Sequence, residues 1–275
     1  MELIKEIGKT PMLEISKGLY AKAELLNPTG SIKDRPASWI LSFGGFDADK
    51  YDTICEATSG NMGVSFAWLA ATLGCKCVII MPSNMSEERK KTLEFYGAKL
   101  IEVEAGDFDR AIAVRDQLCE EHGWFNCNQF ANDWNIEAHK MTTAVEILDW
   151  AAEERKDISA VVTGTGTGGT LMGCHRRLKP QFPKMKMVAV EPAESAVMSG
   201  GEPGIHGIQG IGDGSKFLVN MECVDYISVI STEDAKARAR ERYIGRERED
   251  GARKRRMKKR KTRNQTKITD TSCGR

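Results

Sequence analysis

The chain has 275 residues, 41% hydrophobic and 29% charged, enough to bury a sizeable core in one large domain or two smaller ones. No run approaches the ~20 apolar residues of a membrane span, and residues 1–6 lack the basic-then-apolar pattern of a signal peptide, so a cytosolic protein is expected. The net charge of +1 conceals a polarised chain: residues 236–275 hold 17 Lys/Arg against 5 Asp/Glu, leaving 23 against 34 upstream.

In chain order, apolar β-branched runs alternate with amphipathic ones. Strands are predicted at 51–55, 77–81 and 100–103, with helices at 65–73 and 87–96 between them. The rhythm resumes with a helix at 137–154, a strand at 160–163, a helix at 169–178 and a strand at 186–190. That alternation implies βαβ units and parallel sheets flanked by helices, in two α/β halves separated near residue 130. Ser86 is expected to cap the helix at 87 through its hydroxyl, Gly97 to end it in the left-handed region, and Pro82 to follow a strand. A further helix is expected after Thr232. From Tyr243 onward the text lacks apolar periodicity and carries nine residues, 253–261, of which eight are Lys or Arg. Such a segment buries too little apolar surface to offset its ordering entropy, so 243–275 is expected to be a disordered basic tail.

Eight cysteines are scattered, several within apolar runs, and are expected to be reduced and mostly buried. The four histidines have no partners at metal-ligand spacing, so no metal site is expected.

Four loops carry the chemistry. In Asn27-Pro28-Thr29-Gly30-Ser31-Ile32-Lys33-Asp34-Arg35 a turn presents one lysine, which suits Schiff-base chemistry if the amine is accessible and partly desolvated. Alone, such a lysine is an ordinary surface residue. Glu56-Ala57-Thr58-Ser59-Gly60-Asn61-Met62-Gly63 lies between a strand and a helix expected to start near Val64. Its amides and hydroxyls can cradle a carboxylate, or can simply cap a helix. Thr163-Gly164-Thr165-Gly166-Thr167-Gly168-Gly169-Thr170 follows a strand and opens a helix, which suits a phosphate. Gly164, Gly166 and Gly169 also satisfy Gly-x-Gly-x-x-Gly, with Glu191 where a ribose-binding acid would fall, so an NAD(P)-binding Rossmann oxidoreductase is a competing reading. His206-Gly207-Ile208-Gln209-Gly210-Ile211-Gly212-Asp213-Gly214 is a glycine-dense connection.

In this order the loops resemble the fold-type II pyridoxal 5′-phosphate (PLP) enzymes, above all the cysteine synthases and their cystathionine β-synthase relatives. The resemblance runs from Gly8-Lys9-Thr10-Pro11-Met12 to about Arg240. It implies two domains of parallel, mixed-edge sheets flanked by helices: a large cofactor-binding domain of residues 1–28 and 133–242, incomplete at its C-terminal end, and a small mobile domain of residues 29–132. It further implies Lys33 as Schiff-base lysine and general base, Asn61 beside the cofactor's 3′-oxygen, and Gly164, Thr165, Gly166, Thr167 and Gly168 around its phosphate. Thr58, Ser59, Gly60, Met62 and Gln129 resemble the grip on the substrate carboxylate, and Gly210 a backbone element facing the bound amino acid. The implied reaction is β-replacement making L-cysteine from an O-activated serine, O-acetylserine first and O-phosphoserine second, and sulfide; a homodimer is implied too.

Two departures stand out. Met62 replaces the family's threonine, removing a hydroxyl but leaving the amide. After Arg240 the family's Gly-Ile-Ser-Ser-Gly-like turn, whose serine meets the pyridine nitrogen, is missing, and the text reads like a frameshifted or altered terminus. A cysteine synthase-like protein that keeps the fold without turnover is therefore the other alternative. The tail has no aromatic residue after Tyr243 for base stacking, so no specific nucleic-acid binding is expected.

Overall fold

Strand-length apolar runs closed by glycine turns build three sheets in the computed structural model, which describes residues 3–212 and 214–241. An antiparallel hairpin comes first, β1 (Met12–Ser16) and β2 (Leu19–Lys22), followed by α1 (Asp34–Phe43). A four-stranded parallel sheet then runs in the order β5-β4-β3-β6. Its strands are β3 (Thr53–Ala57), β4 (Lys76–Pro82), β5 (Lys99–Val103) and β6 (Phe125–Asn126). Its connecting helices are α2 (Asn61–Leu73), α3 (Glu87–Phe95) and α4 (Phe108–His122).

Alternate residues of the central strands face two cores. Ile54, Ile79 and Met81 pack with Ile40, Phe66, Leu69 and Leu93 on one side. Cys55, Ala57, Val78 and Ile80 pack with Ala111 and Cys119 of α4 on the other. Burial on both faces is why β3 and β4 read as unbroken apolar runs.

The later half begins with α5 (Trp134–Ala138), a π-helical turn (His139–Thr143) and α6 (Ala144–Glu153). The three-stranded parallel sheet β7-β8-β9 follows, from β7 (Ala160–Gly164), β8 (Lys186–Pro192) and β9 (Tyr226–Ile230), with α7 (Gly169–Leu178) between its first two strands. One face of this sheet buries Met187 and Ala189 against Leu171, Met172, Ile136 and Ala144. The other aligns Val162, Val188 and Tyr226 across the strands, and Val162 and Tyr226 are 59% and 60% exposed.

The parallel α/β architecture agrees with the sequence reading, and among the described residues the two parallel sheets carry no mixed edge; the antiparallel pair is a separate hairpin. The helix expected over 137–154 starts earlier and is interrupted by the π turn. Two other expectations are corrected. The Ser86 side chain makes no capping bond, and the Ser86 carbonyl instead accepts from Arg89 and Lys90. Pro82 is the last residue of β4, at its carboxyl end, where a missing N–H costs little. Gly97 adopts φ +86° as expected. All seven described cysteines are free and five are buried; Cys273 and the basic tail 243–275 lie outside the described residues. Residues 232–241 are helical. No helix among the described residues is long and apolar enough to cross a membrane.

Candidate active site

Lys33 occupies the N-cap position of α1, a helix absent from the sequence reading because its ten residues mix polar and apolar types around Pro36. What fixes it is its neighbour. Asp34 is fully buried and accepts from the Thr29 amide (2.8 Å), the Thr29 hydroxyl (2.5 Å) and the Ser65 hydroxyl (2.6 Å). The Ser65 hydroxyl also lies 3.0 Å from the Asn61 carbonyl. The lysine turn is thereby tied to the first turn of α2, which begins at Asn61 rather than near Val64. One residue further, Arg35 is anchored by Glu24 (2.7 and 2.8 Å) and Glu146 (2.7 and 2.8 Å).

The Lys33 side chain shares one cleft with residues 163–171, so the lysine and the whole of Gly164, Thr165, Gly166, Thr167 and Gly168 are brought together. The loop ends at the N-terminus of α7, where unpaired amides and the helix dipole favour an anion. Gly168 has φ +93°, and a Cβ there would stand 2.5 Å from Val219 Cγ2. A Cβ on Gly164 would stand 2.7 Å from Ile211 Cγ2, so both glycines permit close packing by the segment after Gly210. That segment bonds the loop directly, Gly212 N–H to the Thr165 carbonyl (2.9 Å) and Leu218 N–H to that of Thr167 (3.0 Å).

Four residues in or beside the cleft were not singled out from sequence. The Thr163 hydroxyl is buried with no hydrogen-bond partner among the described residues. Thr170 approaches His139 Nε2 at 3.3 Å, while Thr143 approaches Nδ1 at 2.9 Å. Burial, and then the charges of Lys33 and Arg35, push His139 well below the usual imidazole range, so the ring is neutral. Asn135 donates to the Thr167 hydroxyl and to the Gln129 carbonyl, both at 3.0 Å. Thr170 closes the quoted loop and was within reach of sequence reasoning; Asn135 and His139 depend on packing.

Thr58, Ser59, Gly60, Asn61, Met62 and Gln129 do not line the Lys33 cleft. Thr58 is buried, its hydroxyl accepting from the Gly60 amide (3.2 Å); Ser59 and Gly60 are half-buried and Asn61 is exposed. The Met62 side chain belongs to the core, leaving only its amide for a ligand. Gly210 is exposed, with φ +85° and nothing within 4 Å of a Cβ position.

A lysine amine, a glycine–threonine cradle at a helix N-terminus and an unpaired buried hydroxyl form the donor set that a phosphorylated aldehyde needs. The enclosed space between them is about 10 Å³, roughly one water. The Rossmann reading fails on geometry. Glu191 is 1% exposed and already accepts from the Met198 amide (2.8 Å), the Ser199 amide (3.0 Å) and the Ser199 hydroxyl, so it is not available to a ribose.

Residues 3–247 match the family described as pyridoxal-phosphate dependent enzyme. The chain belongs to that family. Its cofactor is accordingly pyridoxal phosphate, and it is an enzyme of the cysteine synthase type. It is 40% identical over 242 residues to a cysteine synthase of Staphylococcus aureus, covering 83% of this chain and 77% of that one. Among solved structures it resembles a cysteine synthase of Entamoeba histolytica, with TM-score 0.75 and 36% identity over 85% of this chain and 73% of that one. It resembles an O-ureido-L-serine synthase as closely, with TM-score 0.77 and 34% identity over 83% and 75%.

Proposed function

We propose that this PLP-dependent enzyme makes L-cysteine from O-acetylserine and sulfide, with Lys33 as its cofactor-binding and catalytic residue. The observation that carries the reading is the shared cleft of Lys33 and the 164–168 loop. When bound, pyridoxal phosphate supplies an electron sink that weakens the Cα–H bond of an amino acid. Lys33 Nζ would hold the cofactor and take the Cα proton of the amino acid as general base. Gly164, Thr165, Gly166, Thr167 and Gly168 hold the phosphate, with Thr170 and Thr163 adding hydroxyls, and Asn61 meets the 3′-oxygen. The substrate carboxylate is gripped by Thr58, Ser59, Gly60, the Met62 amide and Gln129, and Gly210 lies over the amino acid. Residues 29–132 form the small domain that moves to open the cleft, against a large domain of residues 1–28 and 133–242. The cytoplasm and a homodimer belong to the same reading.

Purified full-length protein incubated with PLP is expected to develop a near-visible absorbance band that Lys33→Ala abolishes. It is then expected to convert O-acetylserine and sulfide to cysteine faster than it converts O-phosphoserine. A band indifferent to Lys33→Ala overturns the assignment of Lys33; uptake of PLP without cysteine formation favours a fold that has lost turnover. Preference for O-ureidoserine would redirect the acceptor.

A further inference from the structure

Glu56 stands near the end of β3, two residues before Thr58, and its carboxyl is fully buried. Oε1 accepts from the Ala57 amide (2.8 Å) and from Arg115 Nη1 (2.9 Å), and Oε2 accepts from the Gln129 amide (2.9 Å). All three partners are donors, which is the demand of an ionised, acceptor-only carboxylate. Arg115, 2% exposed, reaches in from α4 and is steadied by Asp116 (2.9 and 2.8 Å), which also accepts from Asn126 of β6 (2.8 Å).

The position of this pair sets its consequence. The chain enters Gln129 through Asn128 at φ +45°, a left-handed turn that asparagine tolerates better than most residues. The Gln129 amide is fixed to β3 by Glu56, and its carbonyl is fixed to the glycine–threonine loop by Asn135. A buried ion pair is a poor stability device, since apolar residues of similar volume often do as well. As a strut between two loops, it has no apolar equivalent.

We propose that Glu56, held by Arg115, is a positioning residue that sets the spacing between the 58–62 turn and Gln129, so that both meet one substrate carboxylate. The proposal rests on the assignment of those two segments to the substrate made above. Because Glu56 touches neither cofactor nor reacting atoms, its effect falls on substrate affinity rather than on turnover.

The test uses the full chain loaded with PLP. Glu56→Gln keeps the shape but turns an amide group toward three donors. The KM for O-acetylserine and the dissociation constant for L-serine, read from cofactor absorbance, are each expected to rise at least about tenfold, the scale of one charge-assisted hydrogen bond. Cofactor uptake and kcat are expected to hold, and the peptide containing Gln129 to exchange amide hydrogen faster. Glu56→Leu combined with Arg115→Leu removes both charges, preserves packing, and is expected to show the same rise. A folded double variant with unchanged KM and L-serine affinity overturns the proposal, as does a joint fall of kcat, cofactor affinity and thermal midpoint at constant KM. Wild-type protein that takes up PLP yet binds no L-serine overturns both this proposal and the substrate assignment beneath it.

Discussion

Gly168 carries two demands at one Cα. Its φ of +93° disfavours any side chain, and Val219 fills the space a Cβ would need. Gly168→Ala is therefore expected to cost at least about 1–2 kcal/mol in left-handed strain alone. It should also weaken PLP binding, because the same backbone belongs to the proposed phosphate cradle. A thermal melt and an absorbance titration with PLP read the two effects separately, and an alanine variant with unchanged PLP affinity would remove Gly168 from the cradle. The glycine–threonine run was legible because its chemistry is local: adjacent residues, one turn, one helix start. Glu56 was not, because its partners Arg115 and Gln129 lie 59 and 73 residues away and only the fold brings them in. Glu191 misled for the converse reason, since sequence gives its place after a strand but not the Met198 and Ser199 amides that occupy it.

At the scale of elements, the N-terminal hairpin is joined to α1 and α6 by a cluster around Arg35. Glu24, Glu146 and Lys22 converge there, with Lys22 Nζ 2.7 Å from Glu146 and bonded to the Thr10 carbonyl. Arg35→Met would leave two carboxylates facing each other without their shared partner and is expected to destabilise the fold by roughly 3–5 kcal/mol, measured by urea unfolding. Burial alone would raise the Glu146 carboxyl, but bonds from Arg35, Lys22 and the Lys9 amide outweigh it and bring it from 4.5 to about 2. Above pH 4.5 the group is ionised folded and unfolded, and its stabilisation is complete. As pH falls toward 2 the unfolded chain takes up the proton first, so stability is lost across that window. Glu146→Gln is expected to flatten the acid limb of a stability–pH profile. None of this cluster was foreseen: Arg35 followed Lys33 in the quoted motif, but its partners come from 11 residues before and 111 after.

At the scale of the molecule, the parallel order of both sheets was legible, because buried parallel strands leave continuous apolar runs between helical stretches. The helix α4 and the strand β9 were not, because their burial is partial and their periodicity correspondingly faint, and α1 was not, because much of what it buries is polar: Asp34, Arg35 and Ser38. The proposed movement of residues 29–132 belongs here. Hydrogen exchange across the cleft is expected to fall when PLP is added, in the 29–35 and 163–170 segments together, and a change confined to one side would argue against closure between two bodies.

The apolar row Val162–Val188–Tyr226 bears on handling the protein at the bench. Among the described residues β7 ends its sheet without a single charged residue, so its edge and its exposed valine offer a template on which a second molecule's strand can nucleate. Concentrated stocks are thus expected to scatter light progressively on storage. Val162→Lys, a charge set beside that edge, should delay the onset while leaving the PLP titration untouched.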